Sequence, residues 1–251
     1  MKAVVLCGGL GTRLGDLVAR SPKPLLPVGG RPLLHWTLDW LARQGVVDVA
    51  INLHYLSEHI VASVGDGSAF GVRVHYLSET TLLGTGGTVR ALRDWFGGDD
   101  ALVVYGDLWI HEQLSRFIEL RSRAEGVLLV HQRTGSNSAI ELDERGLIRT
   151  FVERPTPAEW ALVQDPWVNS GVALLSPRYL ATIPEQIPCD LARDVFAPNV
   201  ANGVLSLAAC PLLGERVAID SPERLELANA LAGRATLGKR SAVNPAAGGA
   251  P

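Results

Sequence analysis

Three residue types near the start of the chain have the chemistry to hold a polyphosphate. The string Gly8-Gly9-Leu10-Gly11-Thr12-Arg13-Leu14 follows the apolar run Ala3-Val4-Val5-Leu6-Cys7, and Ser21-Pro22-Lys23-Pro24-Leu25-Leu26-Pro27 comes shortly after it. Glycines directly after a strand leave backbone N–H groups free to approach an anion closely. Arg13 adds a guanidinium fork for phosphate oxygens, and Lys23 adds an ammonium on a segment stiffened by a proline on either side. Two familiar phosphate loops do not fit. A dinucleotide fingerprint needs a third glycine where Leu14 stands, and no Gly-Lys-Ser or Gly-Lys-Thr completes a P-loop.

Asp107 is the next candidate. It follows Gly106 at the end of the apolar run Ala101-Leu102-Val103-Val104-Tyr105, at the end of a strand where open α/β sheets hold their ligands. A hard carboxylate there suits Mg2+, which takes one or two such groups together with substrate phosphates and water. An aspartate at a strand-to-helix turn also serves as an N-cap, and the spacing alone leaves both roles open.

Side chains in these places need a sheet behind them. Strand and helix patterns alternate through the first half: a strand at 3–7, a helix over 33–44 closed by Gly45, strands at 46–53 and 72–76 around a helix beginning at Ser57, a loop over 79–87, a helix over 88–96 and a strand at 101–105. That βαβαβαβ succession predicts an α/β fold, a mainly parallel, Rossmann-like sheet in a three-layer αβα arrangement. The second half is less regular. It reads as a helix over 111–124, strands near 127–131 and 138–142, a turn at 144–146, a strand over 168–175, a helix over 191–200, a strand over 204–209 and a helix over 222–231. Mixed structure inserted there would cover a second substrate. The expected organisation is one domain over 1–232, with a nucleotide-binding half (1–125) and a second half (126–232), followed by a disordered tail over 233–251.

Composition narrows the class. In 251 residues, 23 Lys and Arg face 26 Asp and Glu, a net charge of −3 that excludes a polybasic surface for nucleic acid or anionic membrane. Cys7, Cys189 and Cys210 are too far apart and too few for a disulfide framework or a zinc site. No apolar run reaches the ~18 residues of a membrane span, and the five-residue strand after Lys2 is too short for an export segment. A cytoplasmic protein without nucleic-acid or membrane partners is expected, and a homo-oligomer is compatible with all of this.

The motif Gly-Gly-x-Gly-Thr-Arg-Leu with Pro-Lys-Pro-Leu-x-Pro-Val about ten residues on resembles the sugar-1-phosphate nucleotidyltransferases, and the likeness extends over 1–232. The resemblance implies a Rossmann-like sheet with an inserted sugar-phosphate lid. It also implies the conversion of a nucleoside triphosphate and a sugar 1-phosphate into a nucleotide sugar and pyrophosphate, with Mg2+. Catalytic roles then fall to Arg13, Lys23 and Asp107; nucleotide contacts to Leu6, Gly8, Gly9, Gly11, Thr12, Glu79, Gly84, Thr85 and Gly86; sugar-phosphate contacts to Gly87, Glu153, Arg154, Asn169 and Gly171; metal ligation to Asp107 and Asp220. Glu153-Arg154-Pro155 stands where the family has Glu-Lys-Pro, so Arg154 inherits the phosphate-holding charge. Two positions depart from the pattern: Tyr105 replaces an Asn before Gly-Asp, and Ala218 replaces the aspartate of an Asp-x-Gly-x-Pro-Glu element. Asp220, two places before Pro222, is either the displaced ligand or an N-cap. The loop Leu83-Gly84-Thr85-Gly86-Gly87 resembles guanylyltransferases for mannose- or heptose-type sugar 1-phosphates, with Glu79 expected to accept hydrogen bonds from guanine. Thymidylyl-, cytidylyl- and uridylyltransferases, and a non-catalytic nucleotide-sugar-binding regulator, are the alternatives.

Overall fold

The structure is a computed structural model, and the residues it describes are 1–9, 11, 14, 15, 18 and 21–241. Strand β1 (Lys2–Leu6) opens the fold. A single helical turn at Lys23–Leu25, the short hairpin β2 (Pro27–Val28) and β3 (Arg31–Pro32), and helix α1 (Leu33–Arg43) follow. Next come β4 (Asp48–Leu53), α2 (Ser57–Val64), β5 (Arg73–Ser78), α3 (Gly84–Ala91), the one-turn α4 (Arg93–Phe96) and β6 (Ala101–Tyr105). β5, β4, β1 and β6 lie side by side, all parallel, as the alternation predicts.

The second half adds β7 (Leu108–His111), α5 (Ser115–Arg121), β8 (Gly126–Gln132), β9 (Ser138–Leu142), β10 (Ile148–Glu153), α6 (Pro157–Leu162) and the long β11 (Trp167–Leu175). After α7 (Pro177–Leu180), a helical stretch Leu191–Phe196 runs into α8 (Ala197–Ala201), and β12 (Leu207–Pro211), β13 (Glu215–Ala218) and α9 (Pro222–Ser241) end the description. β11 pairs antiparallel with β6 through Val172–Leu175 and with β8 through Trp167–Asn169 and Ala173–Leu175, and its Trp167 meets Ile140 of β9, so it carries the sheet across from the parallel half to the mixed half. Among the described residues, nine strands form this sheet.

Alternate residues of β1 show the layering. Ala3 and Val5 pack into a cluster with Leu34, Leu38 and Trp40 of α1, whereas Val4 packs on the other face with Val89, Phe96 and Phe196. The central strands are buried on both faces, which is why they read as continuous apolar runs. A third, smaller cluster joins Leu26, Val28 and Leu33 to Trp109, Val217, Ile219, Ala228 and Ala232. It fixes the Lys23 segment against β7, β13 and α9, and Gly29 N–H adds a 2.7 Å hydrogen bond to Asn229 Oδ1.

β10, β13, α6 and α7 have no counterpart in the sequence reading, and three further elements differ from it. The helix expected over 111–124 is preceded by strand β7, which pairs with β13 far along the chain; the run Leu108, Trp109, Ile110 is buried throughout, and an unbroken apolar run has no period to separate strand from helix. Helix α3 begins at Gly84 rather than 88. Its glycines disfavour helix locally, but the Cys189 carbonyl accepts from Gly86 N–H at 2.8 Å and Gly87 N–H at 3.2 Å, satisfying amides that a helix start leaves open. The tail expected from 233 is helical to Ser241, because Ala, Leu, Arg and Lys sustain a helix that α9 has already nucleated.

Gly84 is a position where glycine is required. Its φ is +78°, and a Cβ would overlap the Cys189 carbonyl oxygen and come within 2.9 Å of that residue's N and C. Gly84→Ala is therefore expected to destabilise the protein by on the order of 3 kcal/mol, the sum of a left-handed penalty and overpacking. Thermal unfolding followed by circular dichroism reads this as a fall in Tm of roughly 10 °C; an unchanged Tm would contradict the packing described.

Candidate active site

Two cavities open along the carboxyl ends of the parallel strands, where an α/β sheet holds its ligands. The larger, about 480 Å³, is lined by Leu6, Gly8, Gly9, Gly11, Lys23, Asn52, Glu79, Gly84 and Thr85 among others. The smaller, about 220 Å³, is lined by Glu153, Asn169, Gly171, Asp220 and three arginines, Arg133, Arg216 and Arg224. Tyr105, Asp107 and Asp190 line both, so the two cavities meet at these three side chains.

Lys23 and Asp107 form the centre of that junction. Lys23 Nζ donates to Asp107 Oδ2 at 2.7 Å, and the lysine side chain is only 16% exposed. The prolines beside it and the third core cluster hold the segment so that the lysine turns inward. Gly106 makes the approach to β1 possible: its N–H bonds the Leu6 carbonyl at 3.0 Å, and a Cβ there would stand 2.5 Å from the same oxygen.

The glycine turn is held from beneath by a residue the sequence reading did not single out. Asn52 Oδ1 accepts from Cys7 N–H at 2.7 Å and Gly8 N–H at 3.3 Å, while its Nδ2 donates to Glu79 Oε1 at 2.9 Å. A polar residue inside the apolar run of β4 is the signal that could have found it. Gly8 thus faces the cavity with its amide turned to the protein, leaving Gly9 and Gly11 on the wall. Thr12 and Arg13 lie outside the described residues.

Glu79 is corrected in role. Its Oε1 accepts from Asn52 and from Thr88 Oγ1 at 2.6 Å, and its Oε2 accepts from Leu83 N–H at 3.2 Å. A buried carboxylate with three protein donors is a strut between the glycine turn and the start of α3, rather than a free acceptor for a base. Gly86 and Gly87 line neither cavity, because Cys189 packs over them, which corrects the contacts expected of both. Thr85 does face the larger cavity, and its hydroxyl donates to Asp190 Oδ2 at 3.2 Å.

The smaller cavity carries the acids and amides expected for a sugar. Gly171, at φ +80°, lies against Tyr105, whose Cβ and Cγ would stand 3.3 Å from an added Cβ. Asn169 Oδ1 accepts from Gly171 N–H at 2.8 Å, which fixes the amide plane. Arg154, at φ +52°, does not line either cavity; its N–H bonds the Asn137 carbonyl. Burial, reinforced by Asp190 and opposed by Arg154 and Arg193, raises the Glu153 carboxyl from its ordinary 4.5 to about 7. The folded state therefore binds this proton more tightly than the unfolded chain, so the contribution to stability is complete below about 4.5 and is lost as pH rises through about 7. Glu153→Gln is expected to flatten that part of the stability curve, measured as the urea midpoint at pH 5 against pH 8; a slope equal to the parent's would contradict the shift.

The donor set fits Mg2+. Among the described residues no cluster of three or more His, Cys, Asp or Glu side chains forms a complete cage. Asp107 and Asp220 nevertheless line the same cavity, and Ile219 N–H bonds the Asp107 backbone carbonyl at 2.8 Å, tying the two segments together. Two hard carboxylates with the remaining positions left to phosphates and water match the way this ion binds. Ala218, where the resemblance has an aspartate, is paired with Leu108 in the β13–β7 ladder and supplies no ligand.

Comparison with known proteins identifies the family and the fold. Residues 2–189 match the nucleotidyl transferase family model. A glucose-1-phosphate thymidylyltransferase of Streptomyces griseus is 33% identical over 189 residues, covering 71% of this chain and 53% of its own. A mannose-1-phosphate guanylyltransferase of Mycobacterium tuberculosis is 32% identical over 208 residues, covering 80% of this chain and 56% of its own. The chain spans about half the length of these curated relatives. The crystal structure of HddC from Yersinia pseudotuberculosis superposes with a TM-score of 0.77 at 23% identity, covering 92% of this chain and 98% of that one. Among the described residues no helix is long and apolar enough to cross a membrane.

Proposed function

The chain belongs to the nucleotidyl transferase family, and on that premise we propose that it joins a nucleoside triphosphate to a sugar 1-phosphate and releases pyrophosphate. The observation that carries this reading is the Lys23–Asp107 pair at the meeting point of two cavities, one large enough for a nucleotide and one lined for a small polar ligand. The triphosphate occupies the larger cavity with its phosphates against Gly9 and Gly11, and the sugar occupies the smaller one against Glu153, Asn169 and Gly171. A phosphate oxygen of the sugar attacks the α-phosphorus in line; the new P–O bond forms as the bond to the pyrophosphate oxygen breaks. No general base is needed, because the attacking oxygen is already anionic. The work left to the protein is positioning and offsetting charge.

Lys23 is held at the junction with its ammonium facing the α-phosphate, where it offsets charge that builds on the non-bridging oxygens. Mg2+, held by Asp107 with Asp220, supplies further positive charge against the triphosphate when bound. Asn52 and Glu79 act indirectly, keeping the glycine turn and the start of α3 in register. Thr85 and Asp190 stand at the border of the two cavities, suited to hydroxyl groups of either substrate.

GTP and a mannose- or heptose-type sugar 1-phosphate are the finer proposal. Support comes from the Leu83-Gly84-Thr85-Gly86-Gly87 segment and from likeness to the mannose-1-phosphate guanylyltransferase. Competition between GTP, dTTP, CTP and UTP at equal concentration, with mannose 1-phosphate as acceptor, tests it. Preference for GTP is expected; preference for a pyrimidine triphosphate would remove the guanylyl assignment and leave nucleotidyl transfer standing.

A further inference from the structure

The smaller cavity is lined by a half-buried cation that none of the roles above uses. Arg216, on β13, has its Nε bonded to the Ser170 carbonyl at 3.0 Å, and among the described residues no carboxylate oxygen lies within 4.0 Å of its guanidinium. Arg224 differs: it reaches Asp220 at 4.0 Å and donates to the Ala218 carbonyl at 3.2 Å. Burial pulls the Arg216 pKa down to about 10, which still leaves it charged at neutral pH. A partly desolvated guanidinium with no carboxylate in direct contact gains from an anion that completes it.

The groups around it are themselves neutral or already paired. His131 holds Ser170 Oγ at 2.8 Å and is kept neutral, its pKa brought down to about 4 by burial and then by Arg216, Arg133 and Arg224. Asp107 and, more weakly, Asp220 act on it electrostatically, but Asp107 is paired with Lys23 and Asp220 lies 4.0 Å from Arg224. Arg216 pairs with Ile110 across the β13–β7 ladder, so it is anchored on the strand that leaves Asp107. It lines the same cavity as Asp107, Glu153 and Asn169, while Arg154 lines neither cavity.

We propose that Arg216, with Arg133 at the exposed rim, is a receptor for a phosphate monoester and holds the 1-phosphate of the acceptor, the role the resemblance gives to Arg154. The assignment rests on the nucleotidyl-transfer reading. The two terminal nitrogens of a guanidinium bind two phosphate oxygens in parallel and leave the third free to attack, which a lysine cannot reproduce.

The test uses the full chain and its Arg216→Ala, Arg216→Lys and Arg154→Ala variants. Titration calorimetry with mannose 1-phosphate alone, and with inorganic phosphate alone, measures the receptor without turnover; steady-state assays with GTP and Mg2+ measure KM for each substrate. Arg216→Ala is expected to weaken mannose 1-phosphate binding by about 100-fold and Arg216→Lys by about 10-fold, with KM for GTP within about threefold of the parent. Inorganic phosphate should lose affinity in the same order. Equal affinity in parent and Arg216→Ala, or a larger loss in Arg154→Ala, would overturn the proposal. Should Arg216→Ala fail to fold, Arg216→Lys decides, since it keeps charge and bulk and loses only the fork. A parent that binds mannose 1-phosphate through Arg216 yet makes no nucleotide sugar would refute the reaction and keep the receptor. A parent that turns over with Arg216→Ala unimpaired would do the reverse.

Discussion

Asp107→Asn is expected to lower kcat by about 10³-fold or more while the protein stays folded, because one carboxylate serves two parts of the junction. The amide keeps the shape and loses the charge that a hard cation needs. It also leaves the Lys23 ammonium, now 2.7 Å from an anionic oxygen, beside a neutral group. Folding is expected to survive, since the backbone bond from Ile219 N–H to the Asp107 carbonyl and the close packing of Gly106 on Leu6 do not depend on the side chain. Turnover measured across a Mg2+ titration, with Tm as a control, reads both expectations. Parental turnover in the variant, at any Mg2+ concentration, would remove Asp107 from the mechanism.

Lys23→Ala is expected to cost about 10²- to 10³-fold in kcat, the ~3–4 kcal/mol typical of a removed charge-stabilising donor. KM for either substrate should change far less, because the ammonium acts on charge that grows during the transfer. Stability is a separate matter: Asp107 is 30% exposed and remains solvated when its partner is lost, so Tm is expected to move only slightly. The double variant offers a sharper reading. If the two side chains act as one unit, Lys23→Ala with Asp107→Asn should fall well short of the product of the single losses. A turnover within threefold of the parent in Lys23→Ala would contradict the charge-offsetting role.

The parallel half of the fold was legible because each of its strands is a short apolar run separated from the next by a helix pattern and a glycine or polar turn. Leu6, Gly8 and Asp107 were placed for the same reason, since residues at the carboxyl ends of such strands face one crevice, whereas Lys23 was read from the prolines on either side of it. The second half hid its β7–β13 pairing, since both strands are short and their register is set by contacts between residues distant in the chain. Cys189 could not be foreseen as the cap of α3, because a backbone carbonyl leaves no mark in the amino-acid pattern. The same limit explains Glu79. Its sequence neighbours suggest a loop acid facing a ligand, and only the fold brings Asn52 and Thr88 onto its oxygens. Arg216 was invisible as a candidate because it lies on a strand that periodicity did not reveal. Asn169 and Gly171, by contrast, were found through the resemblance, in the short string Asn169-Ser170-Gly171.

The most direct test of nucleotidyl transfer is a product balance by phosphorus NMR. The protein is incubated with Mg2+, a sugar 1-phosphate such as mannose 1-phosphate, and in turn GTP, UTP, CTP or dTTP. With at least one pair, one pyrophosphate and one sugar diphosphonucleoside should appear for each triphosphate consumed, and no triphosphate should be consumed when the sugar 1-phosphate is left out. Release of inorganic phosphate with nucleoside diphosphate, or triphosphate consumption that ignores the sugar phosphate, would contradict the transfer reaction.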